Sequence, residues 1–332
     1  MRRVSAGQAS QSRRLQSGLS MIEVMIALTL GLVAVGGATV IYLSNRQSYA
    51  MVESVARLEE NARFAVDLLS RDIREAGNSV CGGALISTNL VTATNTWAMW
   101  ERGLVGDVLS PSPSAGLTIA APTGPTAQVA GTGSLLVWSG SAAGTPVQIT
   151  AHDPVAKTFT TSGNSGYKAS DVVVACDGSQ LLTVELPSDA SGTTVTYTDV
   201  PPSRSPQLNA GGYLNPLTAY IWYIGSSTTQ TGAKALRRLT IDKSGSWGIN
   251  NDEMVTGVSG LQIKYLLANA AGVPTATDYQ NATAVGTQWP LVSAVRLTLT
   301  FENSDKAGST GSAATAIQYE VPMTANIKVR VP

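Results

Sequence analysis

Glu23 stands at the head of a charge-free run, residues 24–43 (VMIALTLGLVAVGGATVIYL), and five positions after a small residue, Gly18. A carboxylate at the edge of a bilayer costs several kcal/mol unless it is paired or protonated, so such an acid marks a functional position. A cut after Gly18 would free an α-amino group at Leu19, four residues before Glu23. In packed helices, that ammonium and the Glu23 carboxylate of a neighbouring chain can neutralise each other. Either charge alone is costly there, so the pair sets axial register more than it adds net stability. A plainer reading makes Glu23 a helix-start acid that favours the dipole, but it leaves Gly18 without a role. A secretory signal is cut after its apolar run and carries no acid at its head.

Other chemistry is sparse. His152 is the single histidine, so a Ser-His-Asp triad could be built only around it. It lies in Thr150-Ala151-His152-Asp153-Pro154, which reads as a surface turn. One His and two distant Cys do not make a zinc site of the usual spacing, and no phosphate-binding loop or dinucleotide fingerprint follows a strand. No catalytic residue, metal or cofactor is therefore expected. Asp242 to Glu253 places oxygen side chains at several calcium-loop positions, but Trp247 occupies the sixth, where such a loop needs Gly. A hairpin connection explains the segment as well. The six tryptophans, Trp97, Trp100, Trp138, Trp222, Trp247 and Trp289, read mainly as core or subunit-contact residues.

Glu23 and its neighbours must be positioned by a helix. Twenty apolar residues span about 30 Å, the hydrocarbon thickness of a bilayer. The arginines that precede them, Arg2, Arg3, Arg13 and Arg14, predict a cytoplasmic N-terminus with everything after Ser44 outside. From Val55 the apolar positions continue as Leu58, Ala62, Ala65, Leu69, Ile73 and Ala76, in steps of three or four. The remaining faces carry charge, Asp72 among them. This predicts an amphipathic helix with the i,i+4 pairs Glu53–Arg57, Glu59–Arg63 and Asp67–Arg71 and a stop at Gly77-Asn78. A single helix from Leu19 to Ala76 would be about 87 Å long.

Only 13% of the 332 residues are charged, and Gly and Pro are plentiful, which suits a β-rich extracytoplasmic domain. The 22 basic and 22 acidic residues balance over the whole chain, and loss of residues 1–18 would leave a net charge near −4. Nucleic acid is not predicted as a partner, because phosphate binding needs clustered Lys and Arg. Cys81 and Cys176 both follow the apolar run. In an oxidising compartment a disulfide between them is the natural reading, worth about 4–5 kcal/mol for a loop of that length; two buried thiols are the alternative.

Beyond Cys81 the pattern is of short strands between Gly, Ser, Thr, Asn and Pro. Strands are predicted at 117–121, 134–139, 147–150, 171–176, 181–186, 194–198, 219–224, 235–242, 261–266, 293–301, 319–321 and 325–331. Loops are predicted at 110–116, 122–133, 187–192, 201–212 and 268–288, with Ser188 to Gly192 as a tight turn.

The run Gly18-Leu19-Ser20-Met21-Ile22-Glu23 resembles the type IV prepilin signature. The resemblance implies that a membrane peptidase cuts after Gly18 and methylates Leu19, which stands where the family usually has Phe or Met, and that Glu23 is the family's fifth-position glutamate. Leu58-Glu59-Glu60-Asn61-Ala62-Arg63-Phe64-Ala65, continuing to Gly77 and then Cys81, is similar to the PilW family of minor pilins. Val255-Thr256-Gly257-Val258-Ser259-Gly260-Leu261-Gln262-Ile263-Lys264-Tyr265 also resembles that family. The resemblance implies an α+β, pilin-like fold, with a long N-terminal helix packed on an antiparallel β-rich domain. The expected domains are a cleaved leader 1–18, a transmembrane or filament-core segment 19–43, an amphipathic segment 44–77 and a periplasmic globular domain 78–332. The implied function is priming of type IV pilus assembly in a tip complex; a large type II secretion pseudopilin is the alternative. The implied partners are other minor pilins, the major pilin, the prepilin peptidase, the inner-membrane assembly platform and a tip adhesin. No enzymatic activity is implied.

Overall fold

The structure is a computed structural model. It describes residues 20–82, 86–91, 98, 103–109, 117, 119, 121–139, 145–198, 206–241, 247–269, 273–275, 278–302 and 315–322. The chain divides into two compact units, Met1–Ser54 and Val55–Pro332.

Helix α1 runs from Met21 to Glu75. Its described residues up to Ser54 are almost all solvent-exposed, and α1 is the one helix among the described residues with a stretch long and apolar enough, at a mean hydropathy of 2.3, to cross a membrane. Three hydroxyls in this part of the helix, two of them in the apolar run, are satisfied within it. Thr29 Oγ1 donates to Ile26 O at 2.9 Å, Thr39 Oγ1 to Val35 O at 2.7 Å and Ser48 Oγ to Ser44 O at 3.0 Å. Such back-bonding leaves the Thr29 and Thr39 hydroxyls satisfied without water.

In the second unit the amphipathic stripe holds from Ala62 onward. Ala62, Ala65, Leu69, Ile73 and Ala76 are buried in the main core, Leu58 is partly buried, and Val55 is 49% exposed. The stripe thus meets the core about two turns later than its spacing predicts. Asp72 is a second departure. It is half-buried and turned toward the sheets instead of lying on the solvated face, because an indole N–H is available to it there. The helix ends at the predicted place. Gly77 adopts φ 68°, and its N–H donates to Trp138 O at 2.8 Å, as a left-handed C-terminal glycine allows.

The strands are β1 (Ile86–Asn89), β2 (Leu104–Gly106), β3 (Ser134–Ser139), β4 (Val147–Asp153), β5 (Thr158–Thr161), β6 (Val172–Cys176), β7 (Gln180–Glu185) and β8 (Thr194–Thr196). They continue as β9 (Tyr213–Pro216), β10 (Thr218–Ser226), β11 (Lys234–Ile241), β12 (Trp247–Thr256), β13 (Val258–Leu267), β14 (Val292–Phe301) and β15 (Thr315–Pro322). They form a seven-stranded sheet in the order β1-β7-β6-β9-β4-β5-β8, a five-stranded sheet β12-β11-β10-β3-β2 and a three-stranded sheet β13-β14-β15. Every pairing within these sheets is antiparallel except β1–β7. The α+β, pilin-like class is therefore observed.

Two cores result. The main one joins α1 to the five- and three-stranded sheets through residues such as Leu69, Trp138, Trp222 and Tyr265. The second, around Phe159, Val173, Val184, Tyr197 and Leu214, belongs to the seven-stranded sheet. Most predicted strands are found, several of them longer than predicted, while β1, β2, β5, β9 and β12 fall outside the predicted strands. The segment predicted as a loop at 268–288 contains a short helix α2 (Ala282–Val285). The tight turn lies at Ser191–Thr194, which exchange backbone hydrogen bonds, with Gly192 at φ 58°. The predicted strand 325–331 lies outside the described residues, as do 118 and 120 of the one at 117–121, whose described residues 117, 119 and 121 belong to no strand.

Candidate functional site

Gly18 and Leu19 lie outside the described residues. Helix α1 begins directly after them, with Val24 N–H donating to Ser20 O at 3.2 Å. Glu23 sits in the first helical turn and is solvent-exposed. Around and beyond it Ile22 is 67% exposed, Met25 66%, Leu28 68% and Leu32 77%. A contiguous exposed apolar surface of this kind is made for lipid or for neighbouring helices. A carboxylate at its head has no cation of its own chain within salt-bridge reach among the described residues. Gly31, Gly36 and Gly37 open onto free space, so another helix can approach the backbone closely there.

The helix half that follows is held to its sheet by polar contacts as well as by packing. Trp222 Nε1 donates to Asp72 Oδ2 at 2.8 Å, and Asn61 Nδ2 donates to Thr256 O at 3.2 Å. The Arg238 guanidinium lies over the rings of Tyr220 (4.8 Å) and Trp222 (5.7 Å). Burial raises the Asp72 carboxyl above its ordinary range, partly offset by the Trp222 hydrogen bond and the Arg238 charge.

Cys81 and Cys176 are joined, with Cα atoms 6.0 Å apart. The bridge ties the segment after α1 to strand β6 in the seven-stranded sheet. Of the tryptophans, Trp138, Trp222 and Trp289 are fully buried; Trp97 and Trp100, and the side chain of Trp247, lie outside the described residues.

His152 corrects the expectation of a surface turn. It is part of β4, only 7% exposed, and stacked on Phe159 at 4.4 Å. A β-bulge between Ile149 and Ala151 interrupts the alternation of β4, so Ile149 and His152 are both buried three positions apart and the ring turns into the second core. Nδ1 accepts the Leu208 N–H at 3.0 Å, which leaves the neutral ring's proton on Nε2, 3.0 Å from the Tyr197 hydroxyl. Burial lowers its pKa below the ordinary imidazole range, against a smaller opposing effect of Asp153. Every polar atom of the ring has a structural partner.

The calcium candidate is also resolved in part. Residues 242–246 lie outside the described residues, but Trp247 to Glu253 is strand β12 and not a loop. The Glu253 carboxylate is taken up by Ser227, Thr228, Thr229 and Thr256, and it lies 3.5 Å from the Arg237 guanidinium. Partial burial would raise its pKa, but the donors from Thr229, Ser227 and Thr228 outweigh that and hold it down to about 2. Among the described residues no cluster of three or more His, Cys, Asp or Glu could hold a metal.

Residues 13–39 match the family model described as the prokaryotic N-terminal methylation motif. Residues 221–328 match the model of PilW, Type IV Pilus-assembly protein W. The two matches support a PilW-family, prepilin-like minor pilin. No curated protein and no solved structure matches the chain. The methylation-motif match contains Gly18, Leu19 and Glu23, and the PilW match begins in β10 and takes in all of β11 to β15. The seven-stranded sheet with its separate core lies outside both matches. Pilin-family domains are structural, and the exposed apolar helix with its prepilin signal suggests a membrane-anchored pilin. Similarity to this class also implies pilin partners and a prepilin peptidase in general terms.

Proposed function

We propose that the chain is a minor pilin that helps prime assembly of the type IV pilus, in a tip complex with other minor pilins, and that it has no enzymatic role. The observation that carries this reading is the exposed apolar face of α1, headed by the Glu23 carboxylate, inside the methylation-motif match. In this reading residues 1–18 are a leader removed after Gly18, and Leu19 is the N-methylated first residue. Residues 19–43 form the transmembrane and filament-core segment, 44–77 the amphipathic segment and 78–332 the periplasmic domain. The N-terminus begins in the cytoplasm. The Leu19 ammonium and the Glu23 carboxylate of adjacent subunits set register in the helix bundle. The major pilin, other minor pilins, the inner-membrane assembly platform and a tip adhesin are the partners.

The test has two parts. Mass spectrometry of the membrane-extracted protein should give a terminus at Leu19 bearing one methyl group, lost when the prepilin peptidase is deleted. Deletion of the gene should then reduce surface pili while the major pilin is still made. An uncut chain would overturn the pilin reading. Normal piliation with a defect in protein secretion would transfer the chain to the pseudopilins.

A further inference from the structure

Strand β13 pairs with β14 along one edge, with Ile263 opposite Leu297. Its other edge is closed at two points. Gly133 N–H donates to Leu261 O at 2.7 Å, and Tyr265 exchanges both backbone bonds with Gln280 at 2.8 Å. Alternate residues of a strand present their N–H and C=O to the same edge, so Ile263 faces the same way as Leu261 and Tyr265. Between the two closures its N–H and C=O have no protein partner among the described residues.

A cleft of about 810 Å³ opens at that gap, lined among others by Asp107, Thr132, Gly133, Ile263, Lys264 and Asn281. This is a normal size for a small-ligand site. Asp107 belongs to the Gly133 end: a Cβ on Gly133 would lie 3.4 Å from Asp107 Oδ1 and 3.2 Å from Leu261 O. Its carboxylate accepts the Ser134 N–H and has no cationic partner among the described residues. Asn281 follows Gln280 at the other end, with Lys264 beside it on β13. The cleft therefore carries an anion at one end, a cation at the other and a free peptide-type donor and acceptor between them.

We propose that this cleft binds a short zwitterionic peptide of about two or three residues, extended parallel to β13. Its ammonium meets Asp107, its amide pairs with Ile263, and its carboxylate meets Lys264 and the Asn281 amide. Such a chain spans about 7–11 Å, within the roughly 14 Å from Leu261 to Tyr265. A longer strand running through is stopped by Gly133 at one end and Gln280 at the other, which selects a ligand that brings both of its charged ends. The site stands on the cleft alone and does not depend on the pilin reading.

Calorimetric titration of the detergent-solubilised full chain with trialanine tests it, beside N-acetyl-trialanine and trialanine amide. Saturable binding of the free peptide is expected, weakened about tenfold by either cap. Asp107→Asn and Lys264→Gln should each weaken it by a similar factor. Asn tolerates the left-handed φ of 52° found at Asp107, and Lys264 is exposed, so Lys264→Gln carries the test should the first variant fold poorly. Absence of binding at millimolar peptide, or binding indifferent to both caps and to Lys264→Gln, would overturn the proposal.

Discussion

The indole N–H of Trp222 donates to the Asp72 carboxylate at 2.8 Å, so a helix residue read as solvent-facing anchors α1 to the middle of the five-stranded sheet. Trp222 is fully buried, and Arg238 covers its ring from the other element of the junction, β11. The contact is charge-assisted and partly shielded from water, which makes it stronger than a neutral pair at the surface.

Asp72→Ala should therefore cost about 1–3 kcal/mol, since it strands a buried N–H donor. Asp72→Asn keeps an acceptor and should cost less. Chemical denaturation of the detergent-solubilised chain, with Trp222→Phe completing a double-mutant cycle, would measure the coupling. Additive single effects would show that the two side chains do not act together.

Tyr265 offers a sharper contrast. Its ring is fully buried and edge-on to Trp289 at 4.9 Å, its hydroxyl has no hydrogen-bond partner among the described residues, and that hydroxyl sits against the α-carbon of Gly106. Tyr265→Phe removes an unsatisfied buried group and should be neutral or stabilising. Gly106→Ala places a methyl where the hydroxyl stands and should destabilise by about 1–3 kcal/mol. Adding Tyr265→Phe should recover part of that loss, read as a rise in melting temperature over the single Gly106→Ala variant.

Glu253 and Arg237 form a buried ion pair, with side chains only 8% and 3% exposed. Gly225 leaves room for it, since a Cβ there would meet the Arg237 side chain. Glu253→Ala leaves the guanidinium uncompensated and should cost about 3–5 kcal/mol, whereas the double change Arg237→Met with Glu253→Leu should cost much less. The folded carboxyl titrates at about 2, below its unfolded value. Its contribution is therefore complete above the ordinary carboxylate range and lost as pH falls toward 2. An acid titration that flattens in the double variant checks this.

His152 has the opposite charge logic with the same direction of pH effect. Burial holds its folded pKa below the ordinary value near 6.5, so the unfolded chain binds the proton first. Stability should be full above about pH 6.5 and decline as pH falls toward the folded pKa. His152→Phe should remove this slope between pH 7 and 5 in urea melts monitored by circular dichroism. An unchanged slope would assign the titration to another group.

Much of this architecture is local and so was readable along the chain. Helix α1 announces itself by hydropathy and by steps of three and four, and its end by Gly77, because these depend on neighbours within a turn or two. β14 is visible as residues 293–301 because Val295, Leu297, Leu299 and Phe301 share one buried face. Glu23 stands out because a charge beside an apolar run is anomalous in any fold. Pairing across long separations decided the rest. The bulge between Ile149 and Ala151 in β4 places His152 against Phe159 and Tyr197, although its segment reads as a turn. The packing of α1 turns Asp72 to an indole 150 residues away. The closures at Gly133 and Gln280 leave Ile263 open beside Asp107, a carboxylate with no motif around it. Strand register and sheet order arise from contacts summed over the whole domain, and no window of residues contains that sum.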